Sequence, residues 1–209
     1  MRRRGEPSRL PSTPPDTLLV FARYPEAGKV KTRLARDLGV RRALAVYRSL
    51  LRRTLDLAIA RDTAGQRVRI RVAPARRLES FRSGPGRRLP CLAQSGGDLG
   101  NRLRRAFEHA WREGSRRIVV IGSDCPGLTA RHLDRAFREL RAADAVLGPA
   151  RDGGYYLLGL SRPAGRVFDR IPWSTDRVLA TTLARMRRLR LTHRLLGTLR
   201  DVDTAADLP

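Results

Sequence analysis

The chain is nearly without lysine: of its 44 lysine and arginine residues only Lys29 and Lys31 are lysine, and they stand two apart. Cysteine is as scarce. Cys91 and Cys125 alone give neither a disulfide framework nor a metal-binding spacing, which fits a reducing compartment. No apolar stretch approaches the roughly 20 residues of a membrane-spanning helix, so no span is expected. The opening residues, MRRRGEPSRLPSTPPD, lack the apolar middle of a signal peptide, and residues 1–15 read as a disordered, Arg- and Pro-rich tail on a cytoplasmic protein. His109, His132 and His193 show no ligand spacing, and no Ser-His-Asp set emerges.

Aromatic residues are few as well, at 5%, and that bears on the net charge of +24. Such a charge ordinarily points to nucleic acid. Here arginine is spread over almost every segment, including solvent faces such as Arg41, Arg42, Arg48, Arg52 and Arg53, without the aromatic interleaving that single-strand binders use. The excess reads as compositional bias. No specific nucleic acid is expected as a partner, only salt-sensitive, nonspecific sticking.

What is present is an alternation of apolar runs and helical periodicity over a length suited to one domain, the signature of an α/β fold with a mainly parallel central sheet flanked by helices. Strands are expected at Leu18–Ala22, Val68–Val72, Leu89–Gln94, Ile118–Ile121, Ala143–Leu147, Tyr155–Leu160 and Leu195–Val202. Helices are expected over Thr32–Ala60 with a break at Gly39, Asp98–Trp111 with Asp98 as its cap, from Thr129 to Arg141, and Thr175–Arg188. Three chemically loaded segments each follow the carboxyl end of a strand: GKVKTR, GSDCPGL and ARDGGYY. Ligands of open α/β sheets bind at those ends, so the three segments are expected to converge on one crevice.

The two lysines mark the first segment. Lysine is a compact point charge where arginine is a rigid fork, and a chain that otherwise uses arginine places both lysines in one loop between a strand and a helix. That loop has phosphate-binding geometry, with backbone N–H groups, a helix N-terminus and the charges of Lys29, Lys31 and Arg33. In the second segment Asp124 is the metal candidate. Asp201 and Asp203, two apart near the C-terminus, supply further carboxylates and point the same way if a strand continues there. In the third, Asp152 is a candidate base, and Gly153, Gly154 and Tyr155 could admit an acceptor, although Asp-Gly is equally a hairpin signal. Ser95-Gly96-Gly97-Asp98 is weaker, and Asp98 suits a helix cap. Cys125 reads as a small hydrophobe.

The segments FARYPEAGKVKTRLA, GGDLGNRLRRAF, IGSDCPGL, GPARDGGYYLLGL, IPWST and DVDTAADL occur in an order that resembles the bacterial radical-SAM/selenodomain-associated, or arsenosugar-biosynthesis, glycosyltransferases. The resemblance covers about Leu18 to Leu208. It implies a single Rossmann-like GT-A domain over residues 16–209, of the nucleotide-diphospho-sugar transferase superfamily, which also holds nucleotidyltransferases. Carried over by position, Lys29, Lys31 and Arg33 would meet nucleotide phosphates, and Ala22, Arg23, Gly96, Asp98 and Ser123 are further candidates for the nucleotide site. Asp124 and Asp203 would hold Mg²⁺ or Mn²⁺, Lys29, Lys31 and Asp152 would serve catalysis, and Gly153, Gly154 and Tyr155 the acceptor. Asp124 stands in Ser-Asp-Cys and not in an Asp-x-Asp pair, which leaves the donor open.

Two enzyme chemistries therefore stay in view. One is a metal-dependent glycosyltransferase that takes a nucleotide-diphospho-sugar and a small-molecule acceptor. The other is a nucleotidyltransferase that takes a nucleoside triphosphate and releases pyrophosphate. A noncatalytic nucleotide- or RNA-binding protein is the third reading. Oligomeric state is not legible in the sequence.

Overall fold

The computed structural model describes residues 15–208, so the expected tail lies, apart from Pro15, outside the described residues. Seven strands form one sheet in the order β3-β2-β1-β4-β6-β5-β7. They are β1 (Thr17–Arg23), β2 (Arg67–Ala73), β3 (Cys91–Ala93), β4 (Ile118–Ile121), β5 (Ala145–Pro149), β6 (Tyr155–Leu160) and β7 (His193–Leu195). Six helices connect them: α1 (Thr32–Leu38), α2 (Val40–Thr63), α3 (Leu78–Ser83), α4 (Leu99–Arg112), α5 (Ala130–Glu139) and α6 (Val178–Arg188).

Strand β1 pairs in parallel with β2 and β4, β2 with β3, and β5 with β7, so the sheet is mainly parallel, as expected. The exception is β6, antiparallel to both its neighbours β4 and β5. Its reversal follows from the tight Asp152-Gly153-Gly154 connection, since two or three residues suffice for an antiparallel hairpin and a parallel return needs a crossover.

Both faces of the sheet are covered, which explains why β4 is apolar at every position. Val119 and Ile121 pack on one face with Tyr47, Leu51 and Leu55 of α2 and Leu133 and Phe137 of α5. Ile118 and Val120 pack on the other with Leu103 and Phe107 of α4 and Met186 of α6. The Phe107 ring meets Trp111 and Phe168 at centroid separations of 5.5 and 5.6 Å.

The long helical pattern after β1 is two helices, broken at Gly39 (φ 79°) as the sequence suggests. Other boundaries differ from the sequence reading. The helix expected from Thr175 begins at Val178, after a turn in which the Thr175 hydroxyl donates to the Pro172 carbonyl. The closing strand, expected over Leu195–Val202, is His193–Leu195; beyond it a single parallel bridge joins Leu199 to Ala150. Helix α3 has too few apolar positions for periodicity to reveal it, and only Phe81 is buried.

Candidate active site

The three loaded segments do meet at the carboxyl ends of the strands. Lys31 is the pivot. It precedes α1 in a left-handed conformation, φ 47° and ψ 48°. Its side chain is only 4% exposed, and Nζ lies 2.8 Å from Asp203 Oδ1 and 3.1 Å from Asp124 Oδ1. Burial pulls the Lys31 pKa down, but Asp124 and Asp203 outweigh it and the net displacement is upward, so the ammonium stays charged. Asp124 and Asp203 thus face a common point, as sequence reasoning requires, but the cation between them is the protein's own.

Asp203 has a second set of neighbours. Oxygens of Asp152, Asp201 and Asp203 all lie within 4.8 Å of one another. Asp203 therefore belongs both to the pair that flanks the Lys31 ammonium and to a cluster of three carboxylates. Burial, then Asp152 and Asp203, push the Asp201 pKa up to about 6, with Lys31 opposing. Hard oxygen donors at this spacing suit Mg²⁺ or Mn²⁺, whose remaining positions are commonly filled by phosphate and water. The residues fit such an ion. Of the pair the resemblance assigned to metal, only Asp203 is in this group, with Asp201 and Asp152 beside it, while Asp124 faces the Lys31 ammonium; the two-residue spacing of Asp201 and Asp203 was the available signal.

Backbone lacing from three directions holds the carboxylates. Arg151 N–H donates to the Leu199 carbonyl at 3.1 Å, and Val202 N–H to the Asp124 carbonyl at 3.0 Å. These bonds tie the C-terminal segment to the β5–β6 hairpin and to the loop after β4. Asp207 accepts from the Asp203 and Thr204 N–H groups, at 3.1 and 2.8 Å, and from the Thr204 hydroxyl at 2.8 Å. Thr204 and Asp207 form a capping box, a signature readable as Thr-x-x-Asp. In the hairpin, Asp152 Oδ1 accepts the Gly154 N–H at 2.8 Å, and Gly153 adopts φ +85°. A Cβ on Gly153 would sit 2.0 Å from the Asp176 carbonyl oxygen, so only glycine fits.

Lys29 and Arg33 are exposed in and after the β1 loop, and neither has an ion-pair partner among the described residues. Arg23 is also exposed at the end of β1. Its N–H donates to the Tyr47 hydroxyl at 2.9 Å, and that hydroxyl donates back to the Arg23 carbonyl at 2.8 Å. Ser123, buried, reaches the same hydroxyl at 3.4 Å. Tyr47, a buried residue of α2, had no sequence signal, yet it joins the ends of β1 and β4. Ala22 is buried, with its carbonyl accepting from Gln94 at 3.3 Å. Gly96 is exposed. Asp98 caps α4 by accepting the Asn101 N–H at 2.8 Å. Tyr155 lies inward, its ring 6.4 Å from Trp173 and its hydroxyl buried. The Cys125 thiol is pushed up to about 11, first by burial, which suits an inert residue.

The family model described as "Uncharacterized protein conserved in bacteria (DUF2064)" matches residues 54–175. A crystal structure from Desulfovibrio desulfuricans G20, provisionally described as a nucleotide-diphospho-sugar transferase, is 37% identical, covers 90% of this chain and 82% of its own, and superposes with a TM-score of 0.84. Rv0371c of Mycobacterium tuberculosis H37Rv, solved with manganese, is 21% identical over 94% of this chain and 96% of its own, with a TM-score of 0.58. CMP:2-keto-3-deoxy-manno-octonic acid synthetase, solved with CTP, is 13% identical over 92% and 94%, with a TM-score of 0.53. No curated protein matches the sequence. The chain belongs to the bacterial DUF2064 family and has the nucleotide-diphospho-sugar transferase fold. Among the described residues no helix is long and apolar enough to cross a membrane.

Proposed function

We propose that this DUF2064 protein is a metal-dependent transferase acting on an activated nucleotide, namely a glycosyltransferase that uses a nucleotide-diphospho-sugar donor, a small-molecule acceptor and Mg²⁺ or Mn²⁺. The observation that carries this reading is the meeting of Asp152, Asp201 and Asp203 within 4.8 Å, beside a loop whose Lys29 and Arg33 are exposed. The description of the D. desulfuricans relative supports the donor class, and the manganese of Rv0371c supports the ion. The motif order that resembles radical-SAM-associated glycosyltransferases agrees.

Bound there, the divalent ion would neutralise charge gathering on the departing diphosphate, the electrostatic contribution that usually dominates such sites. Lys29 and Arg33 meet the outer phosphate oxygens, with Arg23 and the Gly96–Asp98 loop at the nucleotide's flanks. Lys31 keeps Asp124 and Asp203 aimed at one point before any ligand arrives. Asp152 is the most exposed of the three clustered carboxylates. It stands at the turn where an acceptor approaches Gly153 and Gly154, and is placed to take the acceptor's proton, while Tyr155 supports that turn from within.

Nucleotidyl transfer is the second reading. Two exposed cations, Lys29 in the loop after β1 and Arg33 in the first turn of α1, suit a triphosphate as well as a diphosphate, and the CTP-bound synthetase shares the fold. Incubating the protein and Mn²⁺ with labelled nucleotide sugars and nucleoside triphosphates discriminates between them. Release of nucleoside diphosphate is expected. Pyrophosphate release would replace the proposal with nucleotidyl transfer, and nucleotide binding without either product would make the protein a noncatalytic binder.

A further inference from the structure

Lys31 occupies a position that a metal ion would otherwise suit. Its Nζ bridges Asp124 Oδ1 and Asp203 Oδ1 at 3.1 and 2.8 Å, and these are the two carboxylates that the motif resemblance gives to a divalent ion. The lysine side chain is 4% exposed, whereas those of Asp124 and Asp203 are 46% and 37% exposed. The ammonium therefore meets the carboxylates from the protein side, while part of each stays open to solvent. Asp203 is also a member of the cluster with Asp152 and Asp201, whose oxygens lie within 4.8 Å of one another. One carboxylate thus serves two cation positions. A divalent ion and an ammonium that share it repel each other.

The lysine is held in a way that allows it to leave. Among the described residues its ammonium has no hydrogen-bond or ion-pair partner besides these two carboxylates. Its backbone, at φ 47° and ψ 48°, lies in the left-handed region that residues with side chains seldom adopt and that recurs at switching sites. Val30 and Leu34 are buried, and the Lys31 carbonyl accepts the Ala35 N–H at 2.8 Å, so the chain on either side is pinned. Lys29, Thr32 and Arg33 are exposed. With the flanking chain fixed, a flexible four-carbon stem can redirect its charge by side-chain rotation alone.

We propose that Lys31 is an exchangeable internal cation. In the ligand-free protein it stands in for the divalent ion by neutralising Asp124 and Asp203. In the metal-loaded protein it gives up Asp203 and turns its ammonium outward, to the side of the loop where Lys29 and Arg33 are exposed, and there it meets phosphate. This rests on the metal-dependent transferase reading and adds the exchange to it. A nucleotide that arrives without an ion finds the second lysine of the chain engaged, so metal and phosphate recognition are coupled through one side chain. The coupling is reciprocal: if the ion weakens the hold on Lys31, then Lys31 weakens the hold on the ion.

The composition makes the exchange directly readable, because Lys29 and Lys31 are the only lysines of the chain. The full chain is acetylated with an amine-reactive ester in EDTA, in Mn²⁺, and in Mn²⁺ with UDP, CDP, GDP or ADP, and mass spectrometry reads each lysine. Lys29 should react readily in EDTA and in Mn²⁺ alike, which makes it an internal control. Lys31 should be protected in EDTA, about tenfold or more as reactive in Mn²⁺, and protected again, together with Lys29, by at least one of the nucleotides. In a separate titration without nucleotide, followed by the electron paramagnetic resonance of free Mn²⁺, Lys31→Met should bind the ion about tenfold to a hundredfold more tightly than the parent. Lys31→Arg, which keeps the charge, should not. Should Lys31→Met not fold, acetylation of the unaltered chain decides. The exchange is refuted if Lys31 stays protected in saturating Mn²⁺, or if Lys31→Met binds Mn²⁺ no more tightly than the parent; the transferase reading would stand after either result. A Lys31 that opens in Mn²⁺ but stays reactive with every nucleotide would overturn its transfer to phosphate. Failure of Mn²⁺ to bind even Lys31→Met would overturn both the exchange and the metal-dependent reading.

Discussion

The Lys31 ammonium stands between Asp124 and Asp203, residues that the sequence separates widely and that the fold brings to one cation at 3.1 and 2.8 Å. The two lysines of the chain therefore do different work. Lys31 is engaged inside the protein, whereas Lys29 is exposed and has no ion-pair partner among the described residues.

Replacing Lys31 by Met should destabilise the ligand-free protein by about 1–3 kcal/mol, because it leaves clustered carboxylates without their cation. Mn²⁺ should restore much of that loss. Thermal unfolding with and without the ion measures both effects.

Lys29→Ala should leave unfolding within about 0.5 kcal/mol of the parent, as for other exposed positions. Nucleotide affinity should drop about tenfold to a hundredfold, the loss of one charge-assisted contact. Unchanged affinity by calorimetry would remove the phosphate role of the loop.

Nucleotide and metal should bind together, since the protein alone supplies too few ligands to complete an octahedral shell. EDTA should then weaken nucleotide binding. Asp124→Asn, Asp201→Asn and Asp203→Asn should each remove most turnover, while Asp201→Asn and Asp203→Asn also lower Mn²⁺ affinity, readable by titration against the ion.

Tyr47→Phe deletes the hydroxyl that serves both the N–H and the carbonyl of Arg23. The cost should be about 1–3 kcal/mol, the penalty for stranding partly buried polar groups. Faster amide exchange at Arg23 would locate it at the end of β1.

Asp144 offers a test by pH. Burial pushes its pKa up, but Arg162 and the Thr192 N–H and hydroxyl outweigh that, and the carboxyl sits below the ordinary 3.8. A carboxyl depressed by folding contributes stability that is complete above its unfolded pKa and is lost as pH falls through the folded one. Asp144→Asn should therefore destabilise the protein at neutral pH, and the gap to the parent should close below pH of about 4. Chemical denaturation at several pH values would show it; a constant gap would count against the ion pair.

The alternating apolar runs make β1, β2, β4 and β6 legible in the sequence, since each strand must bury whole faces, and the position of the loaded loops after strand ends makes the crevice legible too. Legibility stops where a contact depends on a backbone state that spacing does not encode. The left-handed turn at Lys31 sends its amine inward, whereas the sequence shows only a basic loop. Asp-Gly-Gly is ambiguous between hairpin and ligand site, and here the turn itself delivers Asp152 to Asp201 and Asp203. The strand expected at Leu195–Val202 dissolves because one bridge and a few loop bonds hold that segment, with no full ladder to enforce alternation.

That lightly held segment carries two of the three clustered carboxylates. The sheet is complete at Leu195, and Asp201 and Asp203 are held beside Asp152 by the Leu199–Ala150 bridge and by the bond from the Val202 N–H to the Asp124 carbonyl. A nascent or trimmed polypeptide ending near residue 196 could therefore hold the whole sheet and still carry only one of the three clustered carboxylates. The proposed activity would then depend on the last few residues of the domain, and a chain trimmed there would be folded yet silent.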